Sequence, residues 1–278
     1  MPISPKSKKY DQNIEAELDY AIAAKGNRII LKPSVPGGKS GKREGQFERR
    51  TVKIVNARPL IGTLSVDVEG FDLVRSVTKV SNFYDDMQIS EIYDLECEKL
   101  VQQLTGCSRA VVFDHTKRCD DKTERERLMV REPVQGVHND YTEVSAAQRV
   151  KDIMGVEANE LLAHQFSIVN VWRSIKGAIE TMPLAICDAQ SVSTNDLIVA
   201  ERRSKERTGF TFRLAFNALH KWFYFPKMRF EEVLMIKSYD TRDDGTARFT
   251  PHTAFVDPLT KKDSRPRQSI ETRVFAFH

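Results

Sequence analysis

The stretch FSIVNVWR at residues 166–173 opens a part of the chain in which short β-patterns dominate. Later runs rich in Val, Ile, Phe and Tyr are separated by Gly, Pro, Asp and Ser, as expected of strands joined by turns. These further predicted strands are 183–188, 209–216, 221–225, 233–239, 249–255 and 270–277. The pattern predicts a mainly β fold with flanking α-helices, in which a β-sandwich or a double-stranded β-helix (jelly roll) core has helices packed on one side.

Towards the N-terminus, helical patterns precede these strands. Residues 90–104 carry apolar side chains at helical spacing, and Gly106 is a residue type that commonly ends a helix. Thr142 is placed to cap a second helix that runs to Met154. Two shorter strands are predicted at 109–115 and 128–132.

The first part of the chain has a different character. Residues 14–24 have a short helical pattern, which leads into a turn-rich loop at 33–41. We find no internal repeat and no clear linker. The sequence therefore predicts a peripheral N-terminal segment over residues 1–57 and a single jelly-roll domain over residues 58–278.

Composition excludes several classes of protein. The 278 residues are 40% hydrophobic and 29% charged, and a net charge of +4 is too small to indicate nucleic-acid binding. No run approaches the ~20 apolar residues of a membrane span. The four cysteines form no C-x-x-C pair, and the N-terminus lacks the apolar run of a signal peptide, so we expect a cytoplasmic protein with reduced thiols. Oligomeric state is not indicated.

A possible metal site begins in VHND, residues 137–140. In a strand, His138 and Asp140 share a face. A distant histidine, His252, follows Pro251 at the start of another predicted strand and can complete a set of three ligands. Two imidazoles and one carboxylate on one face of Fe(II) are typical of non-haem oxygenases. We therefore predict that His138, Asp140 and His252 bind a metal, with no catalytic residue beyond these ligands.

A second pattern, Arg267-Gln268-Ser269, follows His252 after a predicted turn. An arginine at the base of a pocket binds the far carboxylate of a dicarboxylate in two hydrogen bonds, and a serine hydroxyl adds a third. Arg267 and Ser269 are thus the candidate co-substrate anchor. Arg265 and Arg273 are the alternatives.

Other residues are candidate substrate contacts: Tyr141, Asn170, Trp172 and Arg173. Arg173 needs a partner in a buried strand, and either a substrate carboxylate or a neighbour such as Asp188 could supply it. Trp172 and Arg173 alternate along the strand, so only one of them is expected to face the cavity.

Several motifs together resemble the fungal AsaB-like hydroxylase/desaturase family, which is related to the cephalosporin hydroxylation component CmcJ. They are GFDL (70–73), VVFDHT (111–116), GVHNDYT (136–142), AQRV (147–150), VNVWR (169–173), PLAICD (183–188), FTPHTAF (249–255) and RQSIETR (267–273). Ser174 departs from the pattern, because the family usually has proline there.

The resemblance covers residue 58 to the C-terminus and implies an Fe(II)- and 2-oxoglutarate-dependent dioxygenase with a jelly-roll fold. Its substrate would be a small molecule of secondary metabolism, and its products would include succinate and CO2. C–H hydroxylation, desaturation and oxidative cyclisation all remain open. The alternatives are a cupin-like metal-dependent hydrolase or isomerase and a metal-free jelly-roll accessory protein.

Overall fold

The computed structural model describes residues 12–204 and 208–278, and β-strands dominate it. The strands are β1 Ile14–Ala21, β2 Ile29–Lys32, β3 Lys42–Glu44, β4 Phe47–Asn56, β5 Phe71–Arg75, β6 Arg109–Cys119, β7 His138–Asn139, β8 Phe166–Ser174, β9 Leu184–Cys187, β10 Leu197–Arg203, β11 Thr208–Leu214, β12 Trp222–Tyr224, β13 Glu232–Asp240, β14 His252–Ala254 and β15 Gln268–Phe277.

Helices are few and most lie before β8. The α-helices are α1 Asp86–Gln88, α2 Asp94–Thr105, α3 Lys122–Leu128, α4 Glu143–Met154 and α5 Ala158–Leu161. One π-helical turn, Ile89–Tyr93, joins α1 to α2, and short 3₁₀ turns occur at Arg58–Leu60, Gly155–Glu157, Ala189–Ser191 and Thr194–Asp196. Within the described residues, no helix is both long and apolar enough to cross a bilayer.

The strands form two sheets. One has ten strands in the order β1-β4-β12-β9-β14-β7-β11-β10-β2-β3, and the other has five in the order β5-β13-β8-β15-β6. Side chains from both sheets meet in one buried cluster, where Trp172 and Leu234 of the smaller sheet pack with Ile186 and Ala254 of the larger. This packing confirms the predicted jelly-roll core.

The long helix α2 covers the outer face of the five-stranded sheet. Its Cys97 and Val101 are buried in a cluster with Val169 and Val171 of β8 and Val274 of β15. Gly106 ends the helix in the left-handed conformation (φ 68°), as the sequence predicts. The second predicted helix is also present, because Thr142 caps α4 by accepting a hydrogen bond from the backbone of Ser145.

Two predicted elements are wrong. Residues 14–24 form strand β1 over Ile14–Ala21, because its buried side chains alternate with exposed ones, at Ile14, Ala16 and Leu18. That is a period of two residues, the repeat of a strand. The predicted strand at 128–132 is also absent, since the end of α3 and one isolated bridge at Arg131 occupy that stretch.

The N-terminal part of the described chain contributes to the larger sheet. Strand β4 runs parallel to β12, with Ile54 beside Trp222, and β1 pairs antiparallel with β4. Residues 1–11 lie outside the described residues. The ten-stranded sheet contains strands from both sides of the predicted boundary at residue 57. The boundary itself stays a prediction.

Candidate metal centre

Two histidines far apart in sequence become direct neighbours in the larger sheet. His138 on β7 pairs with His252 on β14 in antiparallel register. Direct cross-strand partners project from the same face of a sheet. The two imidazole rings therefore meet, with 4.6 Å between their centroids and 55° between their planes.

Asn139, between the two residues of the His-x-Asp motif, fixes this pairing from the opposite face. Its side-chain carbonyl accepts a hydrogen bond from the backbone N–H of Thr250 at 3.0 Å. Its amide group donates to the backbone carbonyls of Tyr141 at 2.8 Å and Ser238 at 2.9 Å. The buried side chain of Asn139 thus holds β7, the strand of His138, against Thr250, which lies two positions before His252.

The orientation of each ring is set by its Nδ1 atom. Nδ1 of His138 lies 2.8 Å from the carbonyl oxygen of Gly136, and Nδ1 of His252 lies 3.0 Å from that of Thr250. A hydrogen bond of this kind places the proton on Nδ1 and leaves Nε2 free to bind a metal. Nε2 of His252 is buried and has no hydrogen-bond partner in the described part of the chain.

Asp140 supplies the third candidate ligand atom. Its Oδ2 accepts hydrogen bonds from the amide of Asn170 at 2.7 Å and from Nε of Arg273 at 3.0 Å. Its Oδ1 points the other way and lies 3.7 Å from Nε2 of His138. The ligand atoms of His138, Asp140 and His252 all lie within 4.8 Å of one another.

The pKa shifts of His138 and Asp140 favour metal binding between these side chains. Burial, and then the neighbouring His252 ring, hold the pKa of His138 well below its usual range. Burial alone would raise the pKa of Asp140, but Arg273 and the two imidazoles outweigh it and hold that pKa far below normal. Neutral imidazoles and an ionised carboxylate are the forms that bind divalent metals. The orphaned Nε2 of His252 and this donor set fit Fe(II) with open positions.

The three arginines considered as co-substrate anchors have different surroundings. Arg265 is exposed and pairs with Glu180. Arg273 is already engaged by Asp140, by Asp114 at 2.7 Å and by Glu271. Neither one has a guanidinium free to bind a dicarboxylate.

Arg267 is buried and has no carboxylate partner in the part of the chain that the structure describes. Its Nε donates to the hydroxyl of Ser269 at 3.1 Å, its Nη1 donates to the carbonyl of Met182, and its guanidinium lies 5.1 Å from the ring centre of Trp172. Burial, and then the nearby Arg118, lower the pKa of Arg267 to about 9, so it stays charged at neutral pH.

Arg267 lies directly before β15, and Ser269 lies within that strand. Side chains at alternate positions of β15 share a face, and Arg273 on that series reaches the candidate metal ligand Asp140. Arg267 and Ser269 therefore project towards the space between the sheets. The structure thus brings His138, Asp140 and His252 together and places Arg267 and Ser269 on the same side.

The four predicted substrate contacts have separate positions. Tyr141 lines the cavity beside the candidate metal ligands His138 and Asp140. Asn170 binds Asp140, and Trp172 is buried between the sheets. Arg173 projects to the opposite face of β8, where its Nη2 donates to the backbone carbonyls of Ser76 at 2.9 Å and Phe230 at 2.7 Å.

The candidate metal ligands His138 and Asp140 open onto a cavity of about 1330 Å³. Three of its wall residues were not found from the sequence: Arg118 and Asp114 on β6, and Arg213 on β11. Arg213 could have been suggested only by knowing that β11 pairs with β7. The local pattern TGFTFRL marks a strand but does not reveal its neighbour.

Comparison with known proteins gives consistent matches. A family model described as "Oxidoreductase/YMDC permease-like domain" matches residues 18–277. The hydroxylase/desaturase efuI of Hormonema carpetanum is 32% identical over 264 residues, which are 86% of this chain and 88% of that protein. The hydroxylase/desaturase CTB9 of Cercospora beticola is also 32% identical, over 98% of this chain and 88% of that protein.

A further relative is the Fe(II)/2-oxoglutarate-dependent dioxygenase nvfI of Aspergillus novofumigatus, 28% identical over 86% of this chain and 88% of that protein. Among solved structures, the iron and alpha-ketoglutarate-dependent endoperoxidase NvfI superposes with a TM-score of 0.84 at 25% identity, and the match covers 96% of this chain and 98% of that one.

Proposed function

The chain belongs to the fungal AsaB-like hydroxylase/desaturase family, and we propose that it oxidises a small molecule of secondary metabolism at an iron held by His138, Asp140 and His252. It is a non-haem Fe(II)/2-oxoglutarate-dependent dioxygenase. The observation that supports this site most strongly is the buried Nε2 of His252, which has no protein partner in the described residues and faces the other two donors.

Iron bound at these residues would supply the O2-dependent chemistry that converts 2-oxoglutarate to succinate and CO2 while the substrate is oxidised. The chain's own residues bind and orient the reactants. His138 and His252 present their Nε2 atoms because backbone carbonyls occupy their Nδ1 atoms. Asp140 presents Oδ1 because Asn170 and Arg273 hold Oδ2.

Arg267 is proposed to bind the distal carboxylate of 2-oxoglutarate, with Ser269 completing the contact. A buried guanidinium without a carboxylate partner is the group expected at such a position. The Ser269 hydroxyl accepts from Nε of Arg267 and so holds the guanidinium in place. A hydrolase or isomerase would have no use for this anchor.

Substrate oxidation by hydroxylation, desaturation or oxidative cyclisation is part of the proposal. Tyr141 lines the cavity and is the predicted substrate contact that we retain there. Arg173 is left out, because its guanidinium is engaged by backbone carbonyls on the far side of β8. The cytoplasmic location expected from composition also belongs to the proposal.

The test is conversion of 2-oxoglutarate to succinate by the purified protein with Fe(II) and O2. The wild type should form succinate, even slowly without the true substrate, and His252→Ala should not. Succinate formation that is equal in both proteins would contradict the proposed ligand set. A wild type that binds metal but consumes no 2-oxoglutarate with any candidate substrate would favour a hydrolase or isomerase.

A further inference from the structure

Arg213 lies beside the proposed metal site on the neighbouring strand. Within the ten-stranded sheet, β11 pairs antiparallel with β7, and Arg213 is the register partner of His138. Its side chain therefore projects from the same face as the imidazole of His138. Arg213 lines the same cavity as His138 and Asp140.

The guanidinium of Arg213 has few protein partners. Its Nη1 donates to the backbone carbonyl of Gly136 at 2.7 Å and approaches that of Val137 at 3.4 Å. Its Nε is buried without a hydrogen-bond partner, and no ion pair or Nη2 hydrogen bond of Arg213 occurs in residues 12–204 and 208–278. The charge is thus balanced by no carboxylate in direct contact.

Two other arginines of the cavity wall are paired with acidic residues. Arg43 pairs with Asp19, and Arg273 pairs with Asp140, Asp114 and Glu271. These four carboxylates are thus already paired with other arginines, and Arg213 cannot recruit them without breaking those pairs. A desolvated charge without a partner is costly, so a site that retains one is suited to binding an ion of opposite sign.

The backbone next to the His-x-Asp motif makes room for this side chain. A Cβ atom at Gly136 would lie 2.6 Å from Nη1 of Arg213, closer than a real side chain tolerates. Glycine at position 136 therefore leaves room for the guanidinium of Arg213 to reach the backbone carbonyl of Gly136. Burial, and then Arg43, lower the pKa of Arg213 to about 10, so the group stays charged at neutral pH.

We propose that Arg213 binds a carboxylate of the substrate, so that the oxidised molecule is an organic acid with an apolar body. The apolar part is accommodated by Tyr141, Phe210 and Phe255, which line the same cavity. This role rests on the proposed function, since the molecule bound there is the one presented to the iron. 2-Oxoglutarate is the other possible source of a carboxylate, and the test separates the two.

The probes are 4-biphenylacetate and its neutral amide, 4-biphenylacetamide, titrated calorimetrically without O2 into protein loaded with Fe(II) and 2-oxoglutarate. The wild type should prefer the acid over the amide. Arg213→Gln should weaken binding of the acid by about tenfold or more, the loss typical of a hydrogen bond to a charged group, and leave the amide unchanged. Arg213→Lys should recover part of the preference.

Arg149→Gln is the matched control. Arg149 lines the same cavity and also has a buried Nε without a partner among the described residues, but it lies on α4 with its guanidinium 5.5 Å from the ring centre of Phe113. This variant should keep the preference for the acid. An equal loss in Arg149→Gln, or a wild type that shows no preference for the acid, overturns the assignment.

Affinity for 2-oxoglutarate distinguishes the two sources of the carboxylate. Arg213→Gln should bind Fe(II) and 2-oxoglutarate like the wild type, and a large fall in 2-oxoglutarate affinity would assign Arg213 to the co-substrate instead. Succinate formation by the same preparations reports on the proposed function separately. A wild type that prefers the acid through Arg213 yet consumes no 2-oxoglutarate would contradict the proposed function alone.

Discussion

Nε of Arg273 donates to Oδ2 of Asp140 at 3.0 Å, and this contact decides which oxygen of the carboxylate is free. Asn170 donates to the same oxygen at 2.7 Å. Oδ1 is left to face His138 and His252. Arg273, which orients the carboxylate of Asp140, is itself held by ion pairs with Asp114 and Glu271.

Replacing Arg273 should weaken iron binding although Arg273 is not itself a ligand. Arg273→Met removes the group that holds Oδ2 of Asp140 and helps to keep the carboxylate ionised. We expect the Fe(II) affinity to fall by about 10- to 100-fold, as for other groups that support metal ligands. Anaerobic Fe(II) titration measures the change, with Arg265→Met as the exposed control. A folded Arg273→Met protein with wild-type affinity would show that Asp140 orients itself.

Replacing Arg267 should affect the co-substrate and not the metal. Arg267→Ala removes the buried guanidinium that Ser269 and Met182 hold in place. The 2-oxoglutarate concentration that gives half-maximal succinate formation should rise about tenfold or more, since a hydrogen bond to a charged group is lost. Fe(II) affinity should stay unchanged.

Arg265→Ala is the control for that experiment, because Arg265 is exposed and pairs with Glu180. Its dependence on 2-oxoglutarate should match the wild type. If Arg265→Ala, and not Arg267→Ala, raised the requirement, the anchor would be assigned to the wrong arginine.

Asn139 is expected to be a major source of stability. Asn139→Ala removes the acceptor of the Thr250 N–H and both donors to the carbonyls of Tyr141 and Ser238, all in a buried place. The free energy of unfolding should fall by about 2 kcal/mol or more, because unsatisfied buried groups remain. Denaturant unfolding measures it. Asn195→Ala, at an exposed position, is the control and should change little. Equal stabilities of the two variants would show that the buried hydrogen bonds of Asn139 do not stabilise the fold.

Acid should destabilise the metal-free protein through His138. Burial lowers the pKa of this histidine in the folded protein, whereas the unfolded chain has the ordinary value of 6.5. Below that pH the unfolded chain binds a proton that the folded chain does not. The free energy of unfolding therefore falls as pH falls, by about 1.4 kcal/mol per pH unit for such a group.

Unfolding of the metal-free protein between pH 7 and 5 measures this dependence. His138→Asn should have a shallower decline than the wild type. His164→Asn, at an exposed position, is the control and should keep the wild-type slope. The same slope in all three proteins would show that His138 does not contribute.

The proposed ligand set could be suggested from the sequence because each of its two parts is a short local pattern. His138 and Asp140 are two positions apart, and the proline and apolar residues around His252 indicate a strand. The segment at 14–24 fits a short helical pattern as well as the alternation of buried residues at Ile14, Ala16 and Leu18. A strand and a short helix are hard to distinguish when few residues are compared.

What the sequence does not reveal depends on which strands become neighbours. Arg213 lies 75 residues from His138 along the chain and becomes its partner only through the pairing of β11 with β7. Arg273 could be recognised as the support of Asp140, and excluded as the anchor, only once β15 was placed beside β8 and β6. These pairings are long-range and leave no local signature.

Fe(II) binding without O2, measured by titration in the presence of 2-oxoglutarate, tests the central claim most directly. The wild type should bind one equivalent of iron, and Asp140→Ala and His252→Ala should each lose tight binding. His164→Ala should bind like the wild type, because its exposed side chain lies outside the ligand set. One equivalent bound with undiminished affinity by His252→Ala would contradict the proposed metal centre.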